Sequence, residues 1–369
     1  MILGALLVPF FKGRAKSWYV ILLPAAAFYL ISKLDTGSSC QIHFFGFDLT
    51  LLRVDKLSKV FGYIFTLNAA AAFVYAFYLK NNTQHMAALF YIGSALGVVF
   101  AGDLVTLYFF WEIMAIASTF LILARKTDKA LRAGTRYVLL HIFGGLCLLA
   151  GIVIYISQTG SVGFEAMTQR TPATWLILIG ILINAAAPPM SAWLSDAYPE
   201  ATITGGVILS AYTTKTSVYA LIRGFAGWEI LIVIGCIMTL YGIIYALLEN
   251  DMRRILAYSI INQVGFMVAG VGIGTAMALN GAAAHAFCHI IYKSLLWMSA
   301  GSVLYMTGKS KCTELGGLYK TMPWTLFFGT IGALAISSFP GTSGFTSKSL
   351  IIDGAVHAHL VWVLSLIHI

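Results

Sequence analysis

The chain has 369 residues, of which 59% are hydrophobic and only 10% charged. A soluble globular domain carries roughly 25% charged residues, so that class is excluded and a polytopic helical membrane protein is implied. The net charge of +9 does not indicate nucleic acid, because most Lys and Arg fall in short loops between apolar runs, as topology determinants do.

Hydrophobic windows predict spans near Trp18–Leu34, Leu57–Leu79, Met86–Ala101, Leu104–Ala124, Gly134–Ser157, Trp175–Ala187, Ile203–Ile222, Ile230–Leu248, Ile255–Gly274, Met277–Met306 and Pro323–Ser338. A partial helix before Lys12 and a broken piece after Gly344 complete the set. The apolar start lacks a basic leader and a cleavage site, so it reads as the remainder of a first helix rather than a signal peptide. Lys12, Arg14, Lys16, Lys80, Arg125, Lys126, Lys129, Arg132, Arg253, Arg254, Lys309, Lys311 and Lys320 collect on one side when the loops are alternated. That side is expected to be cytoplasmic, which puts the N-terminus outside. Between Asp35 and Lys56, QIHFFGFDLTLL alternates weakly and reads either as a small hairpin or as an irregular loop. The closing Leu364–Ile369 reads as a non-native tail on a C-terminally truncated product, so His368 is given no role. The five cysteines are scattered without ligand spacing and read as packing residues.

Two spans are interrupted by Pro and Gly. NAAAPPMSAWLSDAYPEAT runs from Asn184 to Thr202, with Pro188, Pro189 and Asp196, and SSFPGTSGFTSKSLII runs from Ser337 to Ile352, with Pro340 and Gly341. Unwound backbone at membrane depth survives only when it is buried in protein or lines a cavity. Their spacing of five helices suggests two inverted repeats. Asp196 and Glu200 either gather protons at a mouth or cap the next helix, and capping is the favoured reading.

Ionisable residues inside spans need a reason. His285, His289 and Lys293 recur at i, i+4 and i+8 in Asn280–Leu304, so they climb one helical face over about 12 Å. Two imidazoles and an amine in that order form a plausible proton ladder, against the alternative of hydrogen-bonded structural residues. Glu112 in LYFFWEIMAIAS reads as a proton acceptor or as a carboxylate pinning two helices. Lys215 in ILSAYTTKTSVYALIR reads as a switchable relay or a fixed counter-charge to Glu112. Lys348 in GFTSK reads as a cavity-facing amine or an interfacial lysine. His141 stands alone and reads as structural, and Arg253 and Arg254 read as topology charges. No phosphate loop, nucleophile elbow, HExxH or paired-cysteine motif is present, and no nucleotide, metal or haem cofactor is expected.

In order along the chain, FWE, PPMSAWLSDAYPEAT, TTKTSVYALIR, NDMRRILAYSIINQVGFM, HAFCHIIYKSLLW and GFTSK resemble the antiporter-like subunits shared by Mrp-type cation/proton antiporters, respiratory complex I and membrane-bound hydrogenases. The PPMSAWLSDAYPEAT wording is most similar to the D-type branch of the Mrp subunits. The resemblance implies about twelve of fourteen transmembrane helices, with helices 7 and 12 broken. It divides the chain into 1–85, a first repeat at 86–223, a second repeat at 229–363 and the tail 364–369. It also implies a proton path through Glu112, Lys215, His285, His289, Lys293 and Lys348 in an inner-membrane transporter subunit, with partner subunits, protons and sodium as its company. The alternatives are a proton-pumping subunit of a redox complex and a non-conducting scaffold. One departure stands out: the lysine that the family often places twelve residues before the WLxDA aspartate is Asn184 here.

Overall fold

In the computed structural model, residues 1–44, 46–360 and 363 are described, and the tail 364–369 lies outside them. The chain forms two compact units, Met1–Asn184 and Ala185–Ile369, whose boundary falls in the first Pro-rich break.

The first unit contains α1 (Ile2–Leu7), α2 (Gly13–Lys33), a hairpin of β1 (Ser39–Phe44) and β2 (Phe47–Arg53), then α3 (Lys56–Tyr75), α4 (Asn82–Phe100), α5 (Leu104–Leu123), α6 (Asp128–Thr159) and α7 (Pro172–Asn184). The hairpin reading of the outer loop is therefore the correct one, with antiparallel pairing from Ser39↔Arg53 to Phe44↔Phe47. Side chains at helix N-termini take up otherwise orphaned amides. Asp55 caps α3 in a capping box with Ser58, and Asp103 caps α5 through the Thr106 amide. The second oxygen of Asp103 accepts the Thr50 amide at 2.7 Å, which ties the hairpin to α5. Arg53 donates to the carbonyl of Phe164 at 3.0 Å and pins the loop after α6 to the same point.

The second unit contains α8 (Ala192–Ala197), α9 (Ile203–Leu209), α10 (Thr213–Gly224), α11 (Ile230–Leu248), α12 (Met252–Ile273), α13 (Ala276–Thr307), α14 (Pro323–Ile336) and α15 (Ser343–His357). The single span expected over Ile203–Ile222 is instead two short helices separated at Ser210–Tyr212. Hydroxyls around the gap compete for backbone carbonyls: Ser210 donates to Val207, and Thr216 and Ser217 donate to Thr213. The cap of α9 is Thr202, whose hydroxyl accepts the Gly205 amide, so neither Asp196 nor Glu200 serves as that cap.

Among the described residues, seven helices, α2 to α6, α11 and α12, are long and apolar enough to cross a membrane, with α7 and α14 as shorter apolar helices. The helices differ in what they face. Only 28% of the apolar window of α2 is buried against 83% in α12, so α2 presents a lipid-type surface and α12 a protein interior. Helix α13 is outside the group of seven because its histidines, lysine and serines lower its hydropathy. Such a helix is suited to a bundle interior rather than to lipid.

Candidate functional site

Helix α13 is the spine of the site. His285, His289 and Lys293 are all fully buried, and glycines bring the neighbouring helix against them. A Cβ on Gly281 would meet the Ile351 backbone at 2.9 Å, and one on Gly354 would meet that of Ala278 at 2.8 Å. Only glycine allows α13 and α15 this approach, and it places Ser347 of α15 against His285.

The His285 ring is held at both nitrogens. Nδ1 lies 2.8 Å from the Ser347 hydroxyl and Nε2 lies 3.1 Å from Oε1 of Gln263 on α12. The Gln263 amide nitrogen already donates to Asn262 at 2.6 Å, and Asn262 donates to the Thr239 carbonyl. Oε1 of Gln263 can only accept, so His285 Nε2 carries the hydrogen. The Tyr292 hydroxyl donates to the same oxygen at 3.4 Å. One turn on, His289 lies 6.2 Å from His285 between ring centroids and 5.3 Å from Tyr292. Among the described residues, neither of its nitrogens has a hydrogen-bond partner, and the same is true of the Lys293 ammonium. Groups buried in that state are costly and are normally met by water or by each other.

Two further lysines of the second unit, Lys215 and Lys348, sit at helix breaks, each held by a backbone carbonyl. Lys215, fully buried at the start of α10, donates to Ser210 at 2.7 Å and to Thr214 at 3.1 Å. Lys348 of α15 donates to Ile336, the last residue of α14, at 3.1 Å and lies 4.9 Å from the Phe266 ring centroid. Free carbonyls at helix C-termini carry partial negative charge, so both breaks offer cations a fixed seat. A cavity of about 470 Å³ opens beside Lys348, lined by Asn262, Gln263, Ser259, Ser337 and Ser349 among others. Pro340 and Gly341 are exposed in the bend before α15, where Gly341 takes φ +85°, a conformation that favours glycine.

The first unit holds Glu112 and Asn184. Glu112 is half-buried on α5, and its Oε1, without a hydrogen-bond partner, occupies the space that a Cβ on Gly145 of α6 would need. Beside it, a Cβ on Gly144 would meet Ile183 of α7 at 3.1 Å. The next residue, Asn184, is buried, with both amide atoms unpartnered among the described residues. Pro188 and Pro189 lie in the turn that follows, and Asp196 is half-buried in α8.

Several partners were not read from the sequence. Gln263, Ser347 and Tyr292 surround His285, and the amide pair Asn262–Gln263 in the apolar run IINQVGF was the available signal. Arg253 is not a surface topology charge. It is buried between Gly206 and Trp297 and donates to the carbonyls of Ala201 and Thr202 at 3.1–3.2 Å. Arg254 pairs with Glu249 at 3.3 Å.

Fold and site together define a polytopic α-helical membrane protein with ionisable groups gathered in its interior. A family model described as NADH:quinone oxidoreductase/Mrp antiporter, TM matches residues 101–369, and the chain belongs to that family. It is 28% identical over 405 residues to the A-type subunit of the Na(+)/H(+) antiporter of Alkalihalophilus pseudofirmus, covering 96% of this chain and 50% of the relative. The D-type subunit from the same organism is 33% identical over 288 residues, covering 72% of this chain and 58% of the relative. The chain thus spans about half the length of the curated relatives it matches. Among solved structures, an Mrp complex from Dietzia sp. superposes with a TM-score of 0.90 at 28% identity, covering 97% of this chain and 42% of that one. The membrane-bound sulfane sulfur reductase, an archaeal respiratory membrane complex, gives 0.88 at 25% identity, covering 99% of this chain and 82% of that one.

Proposed function

We propose that this chain is the proton-translocating subunit, of the D type, in a multisubunit sodium/proton antiporter of a bacterial inner membrane, with its N-terminus outside. Protons are carried by Glu112 in the first unit and by Lys215, His285, His289, Lys293 and Lys348 in the second. Sodium exchange belongs to the assembly with its other subunits. The five-helix repeats at 86–223 and 229–363 are part of the same proposal.

The observation that carries it is the set of four fully buried ionisable side chains, Lys215, His285, His289 and Lys293, of which His289 and Lys293 have no hydrogen-bond partner among the described residues. A fold has no energetic reason to keep such groups in an apolar interior unless they exchange protons or hold water. Charging one group changes its neighbour's proton affinity, so the set titrates as a coupled system. His285 has the contacts of a two-state relay. When it is neutral, the Ser347 hydroxyl donates to Nδ1; when it is protonated, Nδ1 donates and Ser347 turns to the Ser343 carbonyl, 2.9 Å away.

The test is sodium-driven proton uptake by the purified assembly in liposomes, read with a pH-sensitive dye. Wild type takes up protons and Lys293→Ala does so at least about tenfold more slowly, the order expected for loss of one proton-transfer group; equal rates remove the relay. A second reading, in which redox chemistry elsewhere in a larger complex drives the same path, draws on the 82% coverage of the archaeal respiratory chain. Proton uptake that responds to an electron donor and not to sodium would favour it.

A further inference from the structure

A second pocket, walled by basic and apolar side chains, lies far along the sequence from the groups used above. It has a volume of about 510 Å³, opens at the start of α2 and the end of α3, and is lined by Lys12, Arg14, Lys16 and Lys80 together with Phe77 and Asn82. Lys12, Arg14 and Lys80 are exposed to varying degrees, whereas Lys16 is only 6% exposed and donates to Asn82 at 2.8 Å and to the Lys80 carbonyl. No Asp or Glu occurs in residues 1–34 or 56–102, the segments that build this pocket and the helices around it. Four cations therefore share a concave site to which those segments contribute no carboxylate. The amides at the start of α2 face the same positive excess: the first turn has no side-chain cap and no acidic residue. Repulsion of this kind is relieved by an anion.

We propose that this pocket holds the headgroup of an anionic phospholipid, with the acyl chains lying along α2. Its surroundings favour a lipid over a soluble anion or a protein segment. Trp18 and Phe77 form an edge-to-face pair beside the basic residues at 5.7 Å, and Phe11 stacks on Tyr19 at 4.3 Å, which is the aromatic furniture of a headgroup level. Beyond them α2 exposes Leu22, Tyr29 and Leu30, at 59–63% each, along the least buried of the seven spans. A phosphate in the pocket thus has an apolar track leading away from it in the membrane direction, which neither inorganic phosphate nor an acidic peptide needs. Lys16, held by Asn82, is the rigid floor, and the other three basic side chains close over the phosphate.

Native mass spectrometry of the protein with its copurifying subunits tests the proposal, by titrating phosphatidylglycerol or phosphatidylcholine of matched chains. The wild type retains one phosphatidylglycerol at concentrations where phosphatidylcholine is lost. Lys12→Ala/Arg14→Ala/Lys80→Ala weakens that retention on the order of a hundredfold, since each basic group near an anionic lipid is worth roughly fivefold in binding. A triple change at Lys309, Lys311 and Lys320 leaves it intact. If the first triple variant does not purify, Lys80→Gln alone weakens retention severalfold. Equal retention by wild type and variants overturns the proposal. Displacement of the lipid by millimolar inorganic phosphate makes the pocket a general anion site and also overturns it. So does an assembly that excludes phosphatidylglycerol while a photocrosslinker at position 80 captures an acidic segment of a partner protein.

Discussion

The two units handle buried charge in different ways. In the second, the lysines at the breaks rest on carbonyls, Lys215 on Ser210 and Lys348 on Ile336, while His289 and Lys293 have no hydrogen-bond partner among the described residues. In the first, Glu112 presents an unpartnered oxygen to the bare face of Gly145, and Asn184 stands unpartnered at the end of α7. A charge seated on a fixed dipole is an anchor, whereas one without a fixed partner must find water or a mobile proton. By that criterion the second unit holds both anchored and unanchored groups. The first anchors its buried Lys16 and Asp103 through hydrogen bonds at helix ends, and among the described residues leaves one oxygen of Glu112 and the amide of Asn184, which cannot titrate, without partners.

Breaking the second unit should have the largest effect. His285→Ala removes the group that links Ser347 to Gln263, and sodium-driven proton uptake is expected to fall by about tenfold to a hundredfold, with Lys215→Ala similar. Gly145→Ala comes next and strikes the first unit. A methyl there overlaps the Glu112 carboxylate, the free end of a flexible side chain, so the carboxylate swings aside at little cost: the thermal midpoint should hardly change while uptake slows. Gln263→Leu leaves the Nε2–H of His285 without its acceptor, at a cost of about 1–3 kcal/mol, and uptake should fall severalfold while the assembly still forms. Asn184→Lys sharpens the comparison by putting a titratable group where the first unit has a buried amide, and the pH profile of uptake should change more than its maximum. The smallest effect is expected at the hairpin, where His43 and Asp48 pair at 2.9 Å with side chains 70% and 80% exposed. Asp48→Asn should leave the thermal midpoint essentially unchanged, because exposed pairs contribute little.

That His285, His289 and Lys293 share one buried face of α13 was legible from their i, i+4, i+8 spacing in an apolar run, and the apolar windows marked the spans around it. The break at Lys215 was not legible. ILSAYTTKTSV contains no Pro or Gly, its hydropathy is continuous, and the interruption comes from hydroxyls that claim carbonyls locally and from a lysine that uses one of them. Thr202, not Asp196 or Glu200, caps α9, because a carboxylate in the neighbourhood does not outrank a hydroxyl at the N-cap position. Arg253 misled for a different reason. A loop Arg–Arg pair ordinarily marks sidedness, and only the packed helices show that α9, with Gly206, leaves room for one guanidinium to reach Ala201 and stack on Trp297. The partners of His285 lie 22 and 62 residues away, so they emerge only once α12, α13 and α15 pack together.

The central claim is that His289 and Lys293 act as one proton-carrying unit, and the non-additivity of their loss tests it most directly. Sodium-driven proton uptake should be measured for the reconstituted assembly carrying His289→Ala, Lys293→Ala or both. The account predicts that each single variant is slowed by about tenfold or more and that the double variant is no slower than the worse single one, as expected of groups acting in series. Wild-type uptake in either single variant, or single effects that multiply in the double, would contradict it.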